Sequence, residues 1–261
     1  MSGTDIDPTS FGNAADDYAT HRAGFPAGLF DRLAGHGIGG SGQRIVDLGT
    51  GTGTVARQLA ARGASVTGVD PDGRLMAQGA ALAAAEGVEV TWHEATAEVT
   101  GLAEASVDVV TAGQCWHWFD RPAAVREARR VLVPARGRLA ILYLDWIPLP
   151  GNPVAATEAL IEAHNPAWVM GGGYGMWPQW VPEVQAGGFS GIETFSFDLT
   201  IPYTPESWRG RIRASAGITV LDADAEARFD AELAELLARD FPGDVIEMDH
   251  RVWAMVATAP D

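Results

Sequence analysis

The chain contains no lysine; its 18 basic residues are all arginine. That excludes lysine Schiff-base chemistry and the lysine of a phosphate-binding P-loop. A single cysteine, Cys115, excludes an internal disulfide and a cysteine-rich zinc site. The six histidines, at positions 21, 36, 93, 117, 164 and 250, never fall in an H-x-x-x-H pattern, so no metal site is expected. Basic charge is scarce: 18 positive residues against 34 negative ones give a net charge of −16, and such a field repels phosphate backbones. Nucleic acid is therefore not an expected partner. No uninterrupted apolar run approaches the roughly 20 residues that span a bilayer, and the N-terminus lacks the basic stretch and apolar run of a secretory signal. The expectation is a cytoplasmic protein without a membrane partner, either a monomer or a homodimer.

What is present is an ordinary globular composition: 47% hydrophobic and 20% charged over 261 residues, enough for one large domain or a core with a sizeable insertion. Leu29, Phe30 and Leu33 sit at helical spacing in the first 40 residues. From Arg44 onward, short β-rich runs (45–48, 65–69, 88–92, 107–111, 138–144) alternate with alanine-rich helical stretches (54–62, 74–85, 123–131), the rhythm of an α/β fold with a parallel sheet. After Asp145 the rhythm breaks at Pro148, Pro150, Gly151, Pro153 and Gly171 to Gly173. Helices are expected over 154–163, 206–216 and 224–239, and strands over 192–197 and 250–257.

The segment Val46-Asp47-Leu48-Gly49-Thr50-Gly51-Thr52-Gly53 follows a strand and opens a helix. Glycines there let a ligand approach the backbone, although a purely structural turn has the same appearance. The next strand ends in Asp70, about 20 residues beyond the turn, where a carboxylate can accept both hydroxyls of a ribose. Dinucleotide-binding dehydrogenases share this logic, but their glycines fall at the first, third and sixth positions, whereas here they fall at the first, third and fifth. An acid beside a pyrophosphate is repulsive, while a cationic sulfonium ligand suits it.

On these residues, together with Val66–Asp72, Ala97-Glu98, Ser106-Val107-Asp108, the run Gln114 to Asp120 and the segment Ala123 to Val133, the chain resembles the class I S-adenosylmethionine-dependent methyltransferases. The resemblance covers most of residues 11–145 and points to the small-molecule branch that includes ubiquinone and menaquinone biosynthesis methyltransferases and trans-aconitate methyltransferase-like proteins. It implies a doubly wound, mostly parallel, seven-stranded Rossmann-like sheet. Residues 1–40 would form a helical cap, 41–145 the S-adenosylmethionine-binding core, 146–240 a lid that includes one sheet strand, and 241–261 a last strand completing the core. Asp47, Gly49, Thr50, Gly51 and Gly53 would line the methionine and ribose, Asp70 with Pro71 would hold the ribose, and Met76, Ala97 and Glu98 would meet the adenine, with Gln114 also at the cofactor. The acidic residue that relatives often carry before the Ala-Glu pair is Thr96 here. Tyr18 and Arg22, four apart on one helix face, match a pair that closes over the cofactor in relatives.

The run Gln114–Phe119 follows the strand over 107–111, and ligands in open α/β sheets bind outside the carboxyl ends of strands. His117 is the available base for an acceptor that carries a proton; packing between Trp116 and Trp118 is its other reading. Trp116, Trp118, Trp146, Trp177, His117 and His164 are the candidate acceptor-binding residues, since tryptophans can wall an apolar pocket. The expected reaction is methyl transfer to O, N or C of a small apolar or aromatic metabolite, in secondary metabolism. A cyclisation or rearrangement on the same fold, and a nicotinamide-dependent dehydrogenase, stand as the alternatives.

Overall fold

A computed structural model describes residues 24–261. Its elements run α1 (Ala27–Gly35), β1 (Arg44–Leu48), α2 (Thr54–Ala61), β2 (Ser65–Asp70), α3 (Gly73–Glu86), β3 (Val90–Glu94), β4 (Val109–Gly113), α4 (Arg121–Val131), β5 (Arg138–Trp146), α5 (Pro153–His164), α6 (Val181–Ala186), β6 (Ser190–Tyr203), α7 (Pro205–Arg213), α8 (Ala223–Asp240) and β7 (Ile246–Thr258). Single 3-10 turns lie at Trp116–Trp118 and Pro178–Trp180. The seven strands form one mostly parallel, Rossmann-like sheet in the order β3-β2-β1-β4-β5-β7-β6. β1 pairs parallel with β2 and with β4, so the strand order reverses between β1 and β4. In open α/β sheets the ligand crevice lies outside the carboxyl ends of the strands at such a point.

Local chemistry sets the element ends. Asp72 caps α3 by accepting the Arg74 N–H at 2.9 Å, and Gly87 ends that helix at φ +69°. Asp120, Asn152, Thr204 and Asp222 cap α4, α5, α7 and α8 in the same way. β4 is buried almost along its whole length, as expected of a central parallel strand, while the edge strand β3 is largely exposed.

The chain divides into two compact units. One comprises residues 24–143, 177–196 and 252–261; its core gathers Val46, Leu48, Val110, Ala112, Ile141 and Tyr143 with Trp180 and Trp253. The other takes in residues 144–176 and 197–251 among those described, and has a core of its own around Trp208, Ile212, Phe229, Leu233 and Met248. Among the described residues no helix is long and apolar enough to cross a membrane.

Five strands differ from the sequence expectation by two residues or more: the one expected over 88–92 is Val90–Glu94, and the one expected over 138–144 extends to Trp146. The strand expected over 107–111 is Val109–Gly113. Val107 instead makes an isolated bridge to Leu132, and Asp108 is held by Arg44 through Nε at 3.1 Å and Nη2 at 2.8 Å. β6 and β7 run 14 and 13 residues, well beyond 192–197 and 250–257.

Candidate active site

The turn after β1 is built by its glycines. Gly49, Gly51 and Gly53 have φ of +61°, +53° and +77°, where a side chain is strained. They differ in what surrounds them. A Cβ on Gly49 would stand 2.8 Å from both Cβ and Sγ of Cys115, whose thiol donates to the Leu48 carbonyl at 3.1 Å. A Cβ on Gly53 would strike the Trp92 ring at 2.6 Å. At Gly51 nothing lies within 4 Å of that position, so this residue alone of the three opens onto space.

Asp47, leading the turn, is 2% exposed. Its register partner on β4, Thr111, donates to Oδ1 at 2.6 Å, and Thr50 donates to Oδ2 at 2.7 Å. Burial pushes its pKa up to about 6, against the opposing pull of those two hydroxyl bonds. Both oxygens thus tie the turn to the sheet. Asp70, at the end of β2, is 8% exposed; Oδ2 accepts the Gly51 N–H and Oδ1 the Asp72 N–H, each at 2.8 Å. Burial raises its pKa, and the two backbone bonds only partly offset this. A carboxylate has about four acceptor positions, so each oxygen keeps capacity for a hydroxyl. Pro71 beside it is exposed, and Met76 on α3 is buried. Ala97 is buried, and Glu98 Oε1 accepts the Asp120 N–H at 2.9 Å. Gln114 lies just past β4 at φ +64°, unusual for a residue with a side chain, and its N–H bonds the Leu142 carbonyl at 2.9 Å.

These residues fit an adenosyl sulfonium better than a pyrophosphate. The open face of Gly51 adjoins a carboxylate with spare acceptors. Arg74, the cation nearest in sequence, is engaged by Asp72 at 3.0 Å.

The 3-10 turn after β4 carries the second group. Tyr143, on β5, brings its hydroxyl 2.6 Å from His117 Nδ1 and accepts the His117 backbone N–H at 3.2 Å. Trp118 lies 4.4 Å from the imidazole between centroids, and Trp177 stacks on it at 6.5 Å and 10°. Trp177 in turn stacks on Trp180 at 4.7 Å. Trp116 departs from its candidate role: it is fully buried in the core, edge-on to Phe119, because the short turn directs alternate indoles to different environments.

The structure therefore brings together the glycine turn with Asp70, and separately His117 with Trp118 and Trp177. Trp146 and His164 lie in the other unit, each engaged there. Trp146 Nε1 donates to Glu158 at 2.7 Å, and His164 Nε2 meets Glu232 at 3.0 Å. Tyr18 and Arg22 lie outside the described residues. Tyr143 and Thr111 were not legible as site residues. Tyr143 is 26 residues from His117 and Thr111 is 64 from Asp47, and only the sheet register joins them.

Comparison with known proteins agrees with this geometry. A family model described as a methyltransferase domain matches residues 46–141. An uncharacterized methyltransferase of Mycobacterium tuberculosis is 37% identical over 178 residues, which cover 61% of this chain and 70% of the relative. The ubiquinone/menaquinone biosynthesis C-methyltransferase of Rubrivivax gelatinosus is 44% identical over 103 residues, 39% of each chain. Among solved structures, a putative type II methyltransferase from Anaeromyxobacter dehalogenans superposes with a TM-score of 0.62 at 22% identity, covering 92% of this chain and 99% of the other, and so shares the fold. With the matched segment holding both the glycine turn and Asp70, the chain belongs to the class I S-adenosylmethionine-dependent methyltransferases and uses S-adenosylmethionine as its cofactor.

Proposed function

We propose that this enzyme methylates O, N or C of a small apolar or aromatic metabolite, with His117 as the general base. The observation that carries the reading is the imidazole of His117 held between the Tyr143 hydroxyl and the indoles of Trp118 and Trp177, just beyond the end of β4. The Rubrivivax relative, a C-methyltransferase of quinone biosynthesis by its name, supports an acceptor of this kind.

When bound, S-adenosylmethionine supplies a methyl group made electrophilic by the positive sulfur. Asp47, Gly49, Thr50, Gly51 and Gly53 form the turn that holds it, Asp70 with Pro71 accepts the ribose hydroxyls, and Met76, Ala97, Glu98 and Gln114 flank the base. His117 removes the acceptor's proton. Tyr143 fixes the imidazole rotation at Nδ1 and assigns proton transfer to Nε2. Trp118 and Trp177 supply flat apolar faces that align a ring and keep water from the reacting atoms.

The test is product mass after incubation with S-adenosylmethionine and a panel of phenols, quinols and aryl amines. A product heavier by one methylene supports the reading, and an isomeric product overturns it.

A further inference from the structure

In the unit formed by residues 144–176 and 197–251, helix α7 carries arginines at 209, 211 and 213. Arg209 and Arg213, four apart, share an outer face and an acid pair. Asp230 accepts from Arg209 Nε at 3.0 Å and from Arg213 Nη1 at 2.9 Å, and Glu206 meets Arg209 at 2.8 Å and Arg213 at 3.2 Å. Arg251 is likewise held by Asp198 at 2.6 Å. Arg211 falls instead on the face of Trp208, which lies three residues before it and is fully buried.

Its guanidinium lies over the ring of Trp146 at 4.8 Å from the centroid. Trp146 is a fixed platform, since its Nε1–H is held by Glu158 at 2.7 Å and Trp208 packs edge-on against it at 5.6 Å. Tyr203, Asp145 and His250 lie within electrostatic reach of the guanidinium, but no carboxylate or carbonyl among the described residues meets it. His250 stacks on Tyr203 and is held at Nδ1 by the Met248 carbonyl at 2.9 Å; burial brings its pKa down to about 4, so it is neutral at physiological pH. A guanidinium stays charged even where burial disfavours it, and a charge withdrawn from water without a partner is costly. Arg211 as a residue is half-buried.

We propose that Arg211 anchors a binding site for a small aromatic monocarboxylate, with the carboxylate on the guanidinium and the ligand's ring against Trp146. Among the described residues no carboxylate is hydrogen-bonded to this guanidinium, and its planar fork matches the planar carboxylate. The surrounding rings supply the apolar contact that a bare inorganic anion does not use. This site goes beyond the methyl-transfer reading and does not depend on it.

The test is calorimetric titration of the full chain with benzoate, benzamide and inorganic phosphate. Benzoate is expected to bind at least tenfold more tightly than benzamide or phosphate, and Arg211→Gln to abolish that preference. Benzoate is also expected to raise the melting temperature of the wild type and leave that of Arg211→Met unchanged, with Asp70→Ala responding to benzoate as the wild type does. Equal binding of benzoate and benzamide by the wild type, no benzoate binding, or a preference retained in Arg211→Gln would overturn the site. Phosphate matching benzoate would overturn its assignment to a carboxylate. The wild-type comparison stands even if a variant fails to fold.

Discussion

Two glycines two residues apart provide a controlled perturbation. Gly49 and Gly51 have nearly equal positive φ, so alanine at either position carries the same backbone strain, about 1–2 kcal/mol. At Gly49 the new methyl also lands 2.8 Å from Cβ and Sγ of Cys115 and 3.1 Å from the Phe119 ring, inside a packed core. Overpacking of that kind adds about 1–3 kcal/mol. Gly49→Ala is thus expected to lose about 2–5 kcal/mol of stability, and Gly51→Ala only about 1–2 kcal/mol. Affinity should rank differently. The methyl at position 51 enters the space left for the cofactor and is expected to weaken S-adenosylmethionine binding at least tenfold, about 1.4 kcal/mol. Urea denaturation of the three proteins measures the first quantity and calorimetry with S-adenosylmethionine the second. If Gly51→Ala binds the cofactor as the wild type does, the open space is not the cofactor's. If the two variants are equally stable, the packing of Cys115 over the turn has been misjudged.

Asp47 sets a pH dependence. Its folded pKa is about 6 against an ordinary 3.8, so between these values the folded chain holds a proton that the unfolded chain has lost. This contribution to stability is full below about pH 4 and falls by about 3 kcal/mol as pH rises through 6. Asp47→Asn should remove that fall, so urea melts at pH 4.5 and 7 should show the variant gaining on the wild type at the higher pH; an unchanged difference would contradict the assignment. His117→Ala should lower kcat by about 10²–10⁴ with little change in cofactor affinity. Steady-state rates across pH would show the loss of a titrating limb, and full activity in the variant would leave His117 a packing residue. Gly79→Ala, although helix-favouring in α3, should destabilise by about 1–3 kcal/mol because its Cβ would meet the Trp92 ring at 2.5 Å and the Thr52 backbone at 2.9 Å. A thermal melt at or above that of the wild type would contradict that packing.

The parts legible in the sequence are those whose signal is local. β1, its glycine turn and β2 with Asp70 fall within one stretch of alternating apolar residues and breakers, and α2 to α5, α7 and α8 follow apolar spacing, all but α2 behind an Asp, Asn or Thr cap; the short α6, with no such cap, was not expected. β4 was displaced by two residues because Val107 and Asp108 look strand-like in isolation. Only the folded partners Leu132 and Arg44 withdraw them. Tyr143 could not be read as the partner of His117, since it is one apolar residue in a buried run along β5 and its hydroxyl acquires a role only when β5 lies beside β4. Arg211 was hidden for a related reason. Its helix carries three arginines at alternate positions, and only the fold, which lays Arg211 over the Trp146 ring, distinguishes it from the two that pair with acids. The division into two compact units was equally non-local, because each gathers segments separated in the chain.

The central claim is that the turn over Gly49 to Gly53 and the carboxylate of Asp70 together hold an adenosyl sulfonium. Calorimetric titration of the wild type and Asp70→Ala with S-adenosylmethionine, its demethylated product and NADH tests this directly. Both adenosyl ligands are expected to bind the wild type, NADH to give no heat, and Asp70→Ala to keep its fold while losing affinity at least tenfold, about 1.4 kcal/mol. An Asp70→Ala titration that overlays the wild type, or binding of NADH in place of the adenosyl ligands, would contradict it.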